Sequence, residues 1–222
     1  MRSIKTLFFL YFVLSFTIIS FTSMFSACNN SNPATQTPNS PVSAASNTGA
    51  AWFTGHEDDA GRFAQIYPVS PDNPFIFASF DELITQLKWG TGVVVFGFPA
   101  CPRCRNAFPV LELAFNEMNM RQYAGLRGRI LYYDMYDDRE VNNERYQAIV
   151  DYIKEYLPND ENGNPRLYSP HVFFLASGKV VGNHLDTVPS LINPRDSLND
   201  EQKAELFEIY KDLLEKVEEC GC

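Results

Sequence analysis

Val93-Val94-Val95-Phe96-Gly97-Phe98, followed by Pro99-Ala100-Cys101-Pro102-Arg103-Cys104, is the stretch on which the fold turns. The first six residues are apolar, mostly β-branched or aromatic, with no polar alternation. That pattern belongs to a central strand covered on both faces. Downstream, Cys104, Ala107, Phe108, Leu111, Ala114, Phe115 and Met118 recur at the three- and four-residue spacing of one helical face. Pro102 suits a first helical turn, where its missing N–H has no partner to lose. Pro109 falls inside the helix and is expected to kink it. A buried strand, a tight turn and a helix headed by Cys101 are therefore predicted.

A Cys-x-x-C pair alone serves either metal binding or redox chemistry. At a helix tip, unpaired N–H groups and the helix dipole favour a thiolate. Arg103 and Arg105 add positive charge near it. Cys104 falls on the buried stripe. The expectation is an exposed attacking thiolate at Cys101 and a shielded resolving thiol at Cys104, the asymmetry that disulfide exchange uses. A structural disulfide or half of a zinc site are the alternatives.

Working outward, Phe75-Ile76-Phe77 reads as a short strand. Ser79 caps a helix carrying Phe80, Leu83, Ile84 and Leu87, which Gly90-Thr91-Gly92 ends. Ile130 to Tyr133 is a strand closing on Asp134, and Glu140 to Leu157 is one helix with Tyr146, Ile149, Val150, Ile153 and Leu157 on a side. Residues 158–167 are a polar connector that lacks calcium-loop spacing. His171 to Ala176 is a strand, Ser177-Gly178 a turn, and Lys179 to Gly182 the start of its return. Asn199, with Gln202 three residues on, caps a last helix whose stripe is Leu206, Phe207, Tyr210, Leu213, Leu214 and Val217. Residues 52–74 show no clear period and are expected to be an irregular N-terminal extension with at most one short strand. This order implies an α/β fold with a mixed central sheet and helices on both faces.

The run VVVFGFPACPRCRNAFPVLELA, with Pro109 five residues after the second cysteine and Ser169-Pro170 before an apolar strand and a Ser-Gly turn, resembles the thioredoxin superfamily over residues 75–219. The resemblance implies a thioredoxin-like three-layer sandwich and a cis Pro170 facing the dithiol. It also implies a Ser169 that docks a partner's backbone, and substrates that are protein thiols and disulfides. Cys101 would attack and Cys104 would resolve, with Pro102 and Arg103 beside the bound partner and no organic cofactor. GTGVVVFGFPACPRCRN is also similar to thioredoxin-like lipoproteins of Gram-positive bacteria, including bacteriocin-transport accessory types. Two departures stand out. Val95 occupies the place of a buried Asp, and Ile130 that of its Lys partner. Pro-Arg replaces Gly-Pro between the cysteines, and the added charge favours the reduced form and a more oxidising couple. A non-enzymatic accessory or metal-binding module on the same fold is the competing expectation.

The N-terminus reads as an export signal: Arg2 and Lys5, an uncharged apolar run from Thr6 to Phe25, then Ser26-Ala27-Cys28. Ser-Ala-Cys resembles a lipobox, although Phe25 stands where Leu is usual, and implies lipidation at Cys28 after removal of residues 1–27. The run also approaches the ~20 residues of a membrane span, so an uncleaved anchor is the alternative. Either way the chain is expected on the extracytoplasmic face of the bacterial membrane. Residues 28–51 form a Pro-, Asn- and Ser-rich tether.

Loss of Arg2 and Lys5 takes 18 basic residues to 16 against 27 acidic ones, from a net −9 to −11. With no basic stripe, that disfavours nucleic acid. Cys220 and Cys222 form a CGC tail over residues 220–222, open to three readings: a disordered end, a second dithiol, or metal binding. His56, His171 and His184 have no ligand spacing and no metal set is assigned, although His171 follows Pro170 closely enough to touch the dithiol. Asp134, Asp137 and Asp138 fit a strand end entering a helix. No nucleophile–His–acid set, phosphate loop or haem motif is present.

Overall fold

The structure is a computed structural model and describes residues 55–122 and 128–220. The leader, Cys28, the tether over residues 28–51, the first residues of the extension (52–54) and residues 221–222 of the tail lie outside these residues. Five strands form one sheet: β1 (Phe75–Phe77), β2 (Gly92–Gly97), β3 (Ile130–Asp134), β4 (His171–Ala176) and β5 (Lys179–Leu185). Their spatial order is β1-β3-β2-β4-β5. The β1–β3 and β2–β3 pairs are parallel, and β4 and β5 add on in antiparallel fashion. The sheet is therefore mixed, as the order of elements implied.

Strand alternation sorts the core into two layers. Val93 and Val95 of β2 and Val172 and Phe174 of β4 pack against α1 (Asp59–Ile66), α3 (Pro102–Glu117) and α6 (Asp200–Cys220). Val94, Phe96, Phe173 and Leu175 point the other way, against α2 (Phe80–Trp89) and α5 (Glu144–Ile153). All six β2 residues are buried, which explains why that strand is apolar on both sides.

Two caps behave as the sequence dictates. The Ser79 hydroxyl accepts from Glu82 N while Glu82 accepts from Ser79 N, a reciprocal capping box on α2. Asn199 and Gln202 exchange the same pair of bonds at the head of α6.

Two expectations are corrected. Residues 59–66 of the extension are helical. Phe63 is buried to 0% exposure among Phe75, Phe108 and Tyr132, and the Asp59 carboxylate accepts from Phe77 N, so α1 is bolted to the β1 edge. The helix expected from Glu140 to Leu157 is divided. A short α4 (Tyr136–Glu140) is capped at Val141, Asn142 turns the chain with φ of 46°, and Asn143 then caps α5 by accepting from Tyr146 N. Residues 154–156 tighten to a 3-10 turn. The return strand that starts at Lys179 runs to Leu185, with a bulge opposite Phe174 and Leu175.

Candidate functional site

The turn from β2 into α3 is fixed by two backbone bonds: Cys101 N donates to Phe98 O at 3.0 Å, and Met135 N donates to Gly97 O at 3.2 Å. Cys101 is the N-cap of α3, and its Sγ accepts from Cys104 N at 3.1 Å. One of the free amides of the helix head is thus aimed at the sulfur, as the helix-tip reading required. Cys101 and Cys104 are joined as a disulfide with Cα atoms 5.3 Å apart. Pro102 opens the helix and Pro109 lies within it.

Gly97 underlies the dithiol. A Cβ there would come within 2.9 Å of Phe108 Cζ, 3.1 Å of Tyr132 Cε2 and 3.3 Å of Cys104 Sγ, so only a hydrogen fits. Beside Val95, in register, stands Tyr132, whose hydroxyl pairs with that of Tyr67 at 3.0 Å. Burial pushes both phenols above their ordinary range. They share one hydrogen bond in an apolar setting, and neither offers the base that a buried carboxylate would provide.

The Ser169–Pro170 peptide bond is cis, as the resemblance implied. The Ser169 hydroxyl lies 3.8 Å from Cys101 Sγ, so the loop before β4 and the head of α3 meet at the disulfide. Cys104 is fully buried, in line with its place on the stripe. Cys101 departs from expectation: it is only 2% exposed, because the α3 head and the Ser169–Pro170 loop close around its sulfur. No family model, curated protein or solved structure matches this chain.

The two arginines are both engaged. Arg105 donates to Ile66 O at the end of α1, 2.6 Å away. Arg103 Nη1 pairs with Asp186 Oδ1 at 2.7 Å. Asp186 was not visible as a site residue in the sequence, since it lies 83 positions from Arg103 in a segment without a motif. Its backbone N also donates to Pro170 O at 2.8 Å.

His171 does not reach the dithiol. Strand alternation turns it to the α2/α5 face, where it stacks on Phe173 at 4.3 Å and bonds Asn183 through Nε2 at 2.9 Å. Its Nδ1 is buried without a partner, and burial pulls its pKa down to about 4. Asp134, Asp137 and Asp138 line an open cavity with Arg145, and Asp138 accepts from Tyr133 and Asn143, a strand-end role. Cys220 is the half-buried last residue of α6. Among the described residues, no group of three or more His, Cys, Asp or Glu is placed to hold a metal ion, and no helix is long and apolar enough to cross a membrane.

Proposed function

We propose that this chain is a thioredoxin-like thiol–disulfide oxidoreductase acting on protein thiols and disulfides, held through a lipid on Cys28 at the extracytoplasmic face of a bacterial membrane. One observation carries the reading. A Cys101–Cys104 disulfide caps a helix whose own amide donates to the Cys101 sulfur, and a Ser169–cis-Pro170 loop faces that sulfur. A purely structural crosslink between residues three apart closes too short a loop to add much by restricting the unfolded chain, and it has no use for an amide aimed at sulfur.

The chemistry balances without a cofactor. The Cys101 thiolate attacks one sulfur of a partner disulfide. That bond breaks, the leaving sulfur departs as a thiolate and takes a proton from water, and a mixed disulfide forms. Cys104, having lost its proton to water, attacks Cys101 Sγ and expels the second partner sulfur. Two electrons pass from the dithiol to the partner, and the reverse sequence oxidises a partner dithiol. Ser169 and Pro170 present backbone groups to the partner chain, and Pro102 and Arg103 border the sulfur it approaches. Because Cys101 is 2% exposed in the disulfide form, the partner's approach must part the α3 head from the loop.

The test is mixed-disulfide trapping with Cys104→Ala in the full chain. The variant should accumulate a dithiothreitol-sensitive adduct with a scrambled or glutathionylated test protein, and Cys101→Ala should not. Failure to trap, together with tight zinc binding by the reduced wild type, would assign the dithiol to metal capture and sink the enzyme reading.

A further inference from the structure

The β4–β5 hairpin places an acid on Arg103, the residue between Pro102 and Cys104, that no cysteine motif announces. Leu185 is the last β5 residue and pairs with His171, the first of β4. The next residue, Asp186, therefore comes level with Pro170, and its N–H donates to Pro170 O. Asp186 adopts φ of 77°. Glycine fits that left-handed region most easily, with Asn and Asp the best tolerated side chains. Here the side chain is used fully. One carboxylate oxygen accepts from Arg103 Nη1 at 2.7 Å, from Thr187 N at 2.8 Å and from the Thr187 hydroxyl at 3.4 Å. Arg103 and Asp186 side chains are 25% and 41% exposed, so the pair is only partly open to solvent.

We propose that Asp186 is a positioning residue that cancels the charge of Arg103 at the dithiol and thereby sets the balance between the Cys101 thiolate and the disulfide. The inference deepens the oxidoreductase reading and rests on it for its redox consequence. Arg103 alone would favour the thiolate, hence the reduced form, hence an oxidising couple. With Asp186 2.7 Å from its guanidinium, the pair presents close to no net charge. The other nearby cation, Arg105, is turned to Ile66 O. The remaining favourable contacts to the sulfur are neutral ones, from the Cys104 amide at 3.1 Å and the Ser169 hydroxyl at 3.8 Å. The couple is therefore less oxidising than the Cys-Pro-Arg-Cys sequence alone implies.

Opposite charge deletions test this on the full chain. Asp186→Asn keeps the backbone preference and the Thr187 bond but removes the negative charge. Arg103→Met removes the positive one. The first readout is the pH dependence of Cys101 alkylation in the dithiothreitol-reduced protein, followed on the Cys101 peptide. The second is equilibration with glutathione, in which two glutathione thiols become one glutathione disulfide as the protein disulfide becomes a dithiol. Asp186→Asn should raise the ionised fraction of Cys101 at a fixed low pH about tenfold and shift the equilibrium toward the dithiol by a similar factor. Arg103→Met should move both the other way, and the double variant should return to near the wild type. A merely structural role would move both single variants in the same direction, alongside their unfolding midpoints, and would overturn the proposal. So would an Asp186→Asn variant with an unchanged Cys101 profile. If the wild-type disulfide fails to exchange with glutathione while the alkylation profiles shift as expected, the charge assignment stands and the oxidoreductase reading falls.

Discussion

Tyr132 and Tyr67 are each 1% exposed, and their hydroxyls bond each other at 3.0 Å. Each therefore depends on the other to avoid a stranded polar atom in an apolar layer. Tyr132→Phe removes one hydroxyl and leaves that of Tyr67 unpaired, which should cost about 1–3 kcal/mol. Replacing both by Phe removes both donors at once and should cost much less than the sum of the single changes. Urea denaturation of the two single variants and the double measures this, and additive losses would show that the bond is not the source of the coupling. Individual residues differed in how far the sequence disclosed them. Cys101, Cys104 and Pro170 were legible because each announces its chemistry locally, through a motif or a Ser-Pro before an apolar strand. Asp186 and Tyr67 were not, since their roles depend on partners 83 and 65 residues away. The burial of Cys101 was missed for the same reason: the loop that closes on it begins 68 residues downstream.

Elements were legible wherever one period ran long enough. The β2 and β4 strands, α3 and α6 follow from their apolar patterns, and α2 and α6 from their caps. Helix α1 was not, because only Phe63 of its eight residues is a deeply buried apolar anchor and its other buried residue is the acid Asp59. Besides Phe63, what holds α1 is polar. His56 bonds Asp59 through Nδ1 at 2.6 Å and Glu82 through Nε2 at 2.9 Å, and Asp59 also takes Arg62 Nη1 and Phe77 N. Burial alone would lower the His56 pKa, but its bonds to Glu82 and Asp59 more than offset that and raise it above 6.5. Burial works to raise Glu82, yet the bonds from His56 and Ser79 outweigh it and hold the carboxyl below 4.5. The signs fix a window. The His56 contribution is fully present below pH 6.5 and is lost as pH rises through its raised folded value. The Glu82 contribution is present above pH 4.5 and is lost as pH falls through its depressed value. His171 acts oppositely on the whole chain, since its pKa of about 4 costs stability as pH falls from 6.5. A comparison of His56→Gln with wild type removes that background. The stability difference between them should be larger near pH 5.5 than near pH 8.5 by denaturant titration, and equal differences would mean that folding leaves the His56 pKa unshifted.

At the scale of the whole molecule, the two apolar layers meet across one sheet, and the dithiol sits where the head of α3 emerges beside β4. The sequence pattern sharpens only at Phe75, after the extension of residues 52–74. The packing draws Phe63 and Tyr67 of that extension into the core. Phe63 and Tyr67 fill the layer that α3 closes, in ring contact with Phe75, Phe108 and Tyr132. Ser70 N holds the carboxylate of Glu112, which is only 7% exposed on α3. Arg105, one residue beyond the dithiol, is fixed by Ile66 O. A chain beginning at Phe75 would lose two buried aromatic side chains at about 2–3 kcal/mol each. It would also strand the Tyr132 hydroxyl and the Glu112 carboxylate at about 1–3 kcal/mol apiece. Those losses together match much of the roughly 5–15 kcal/mol that holds an ordinary domain folded. The truncation should therefore give a chain with a non-cooperative or absent thermal transition by circular dichroism, whereas one beginning at Gly55 should unfold cooperatively and keep its protected disulfide. A cooperative, undiminished transition in the shorter chain would show that the extension merely rests on the sheet. Because α1 supports the very helix that carries Cys101 and Cys104, its loss should also be felt at the dithiol, as faster reduction of the disulfide by dithiothreitol in whatever fraction still folds.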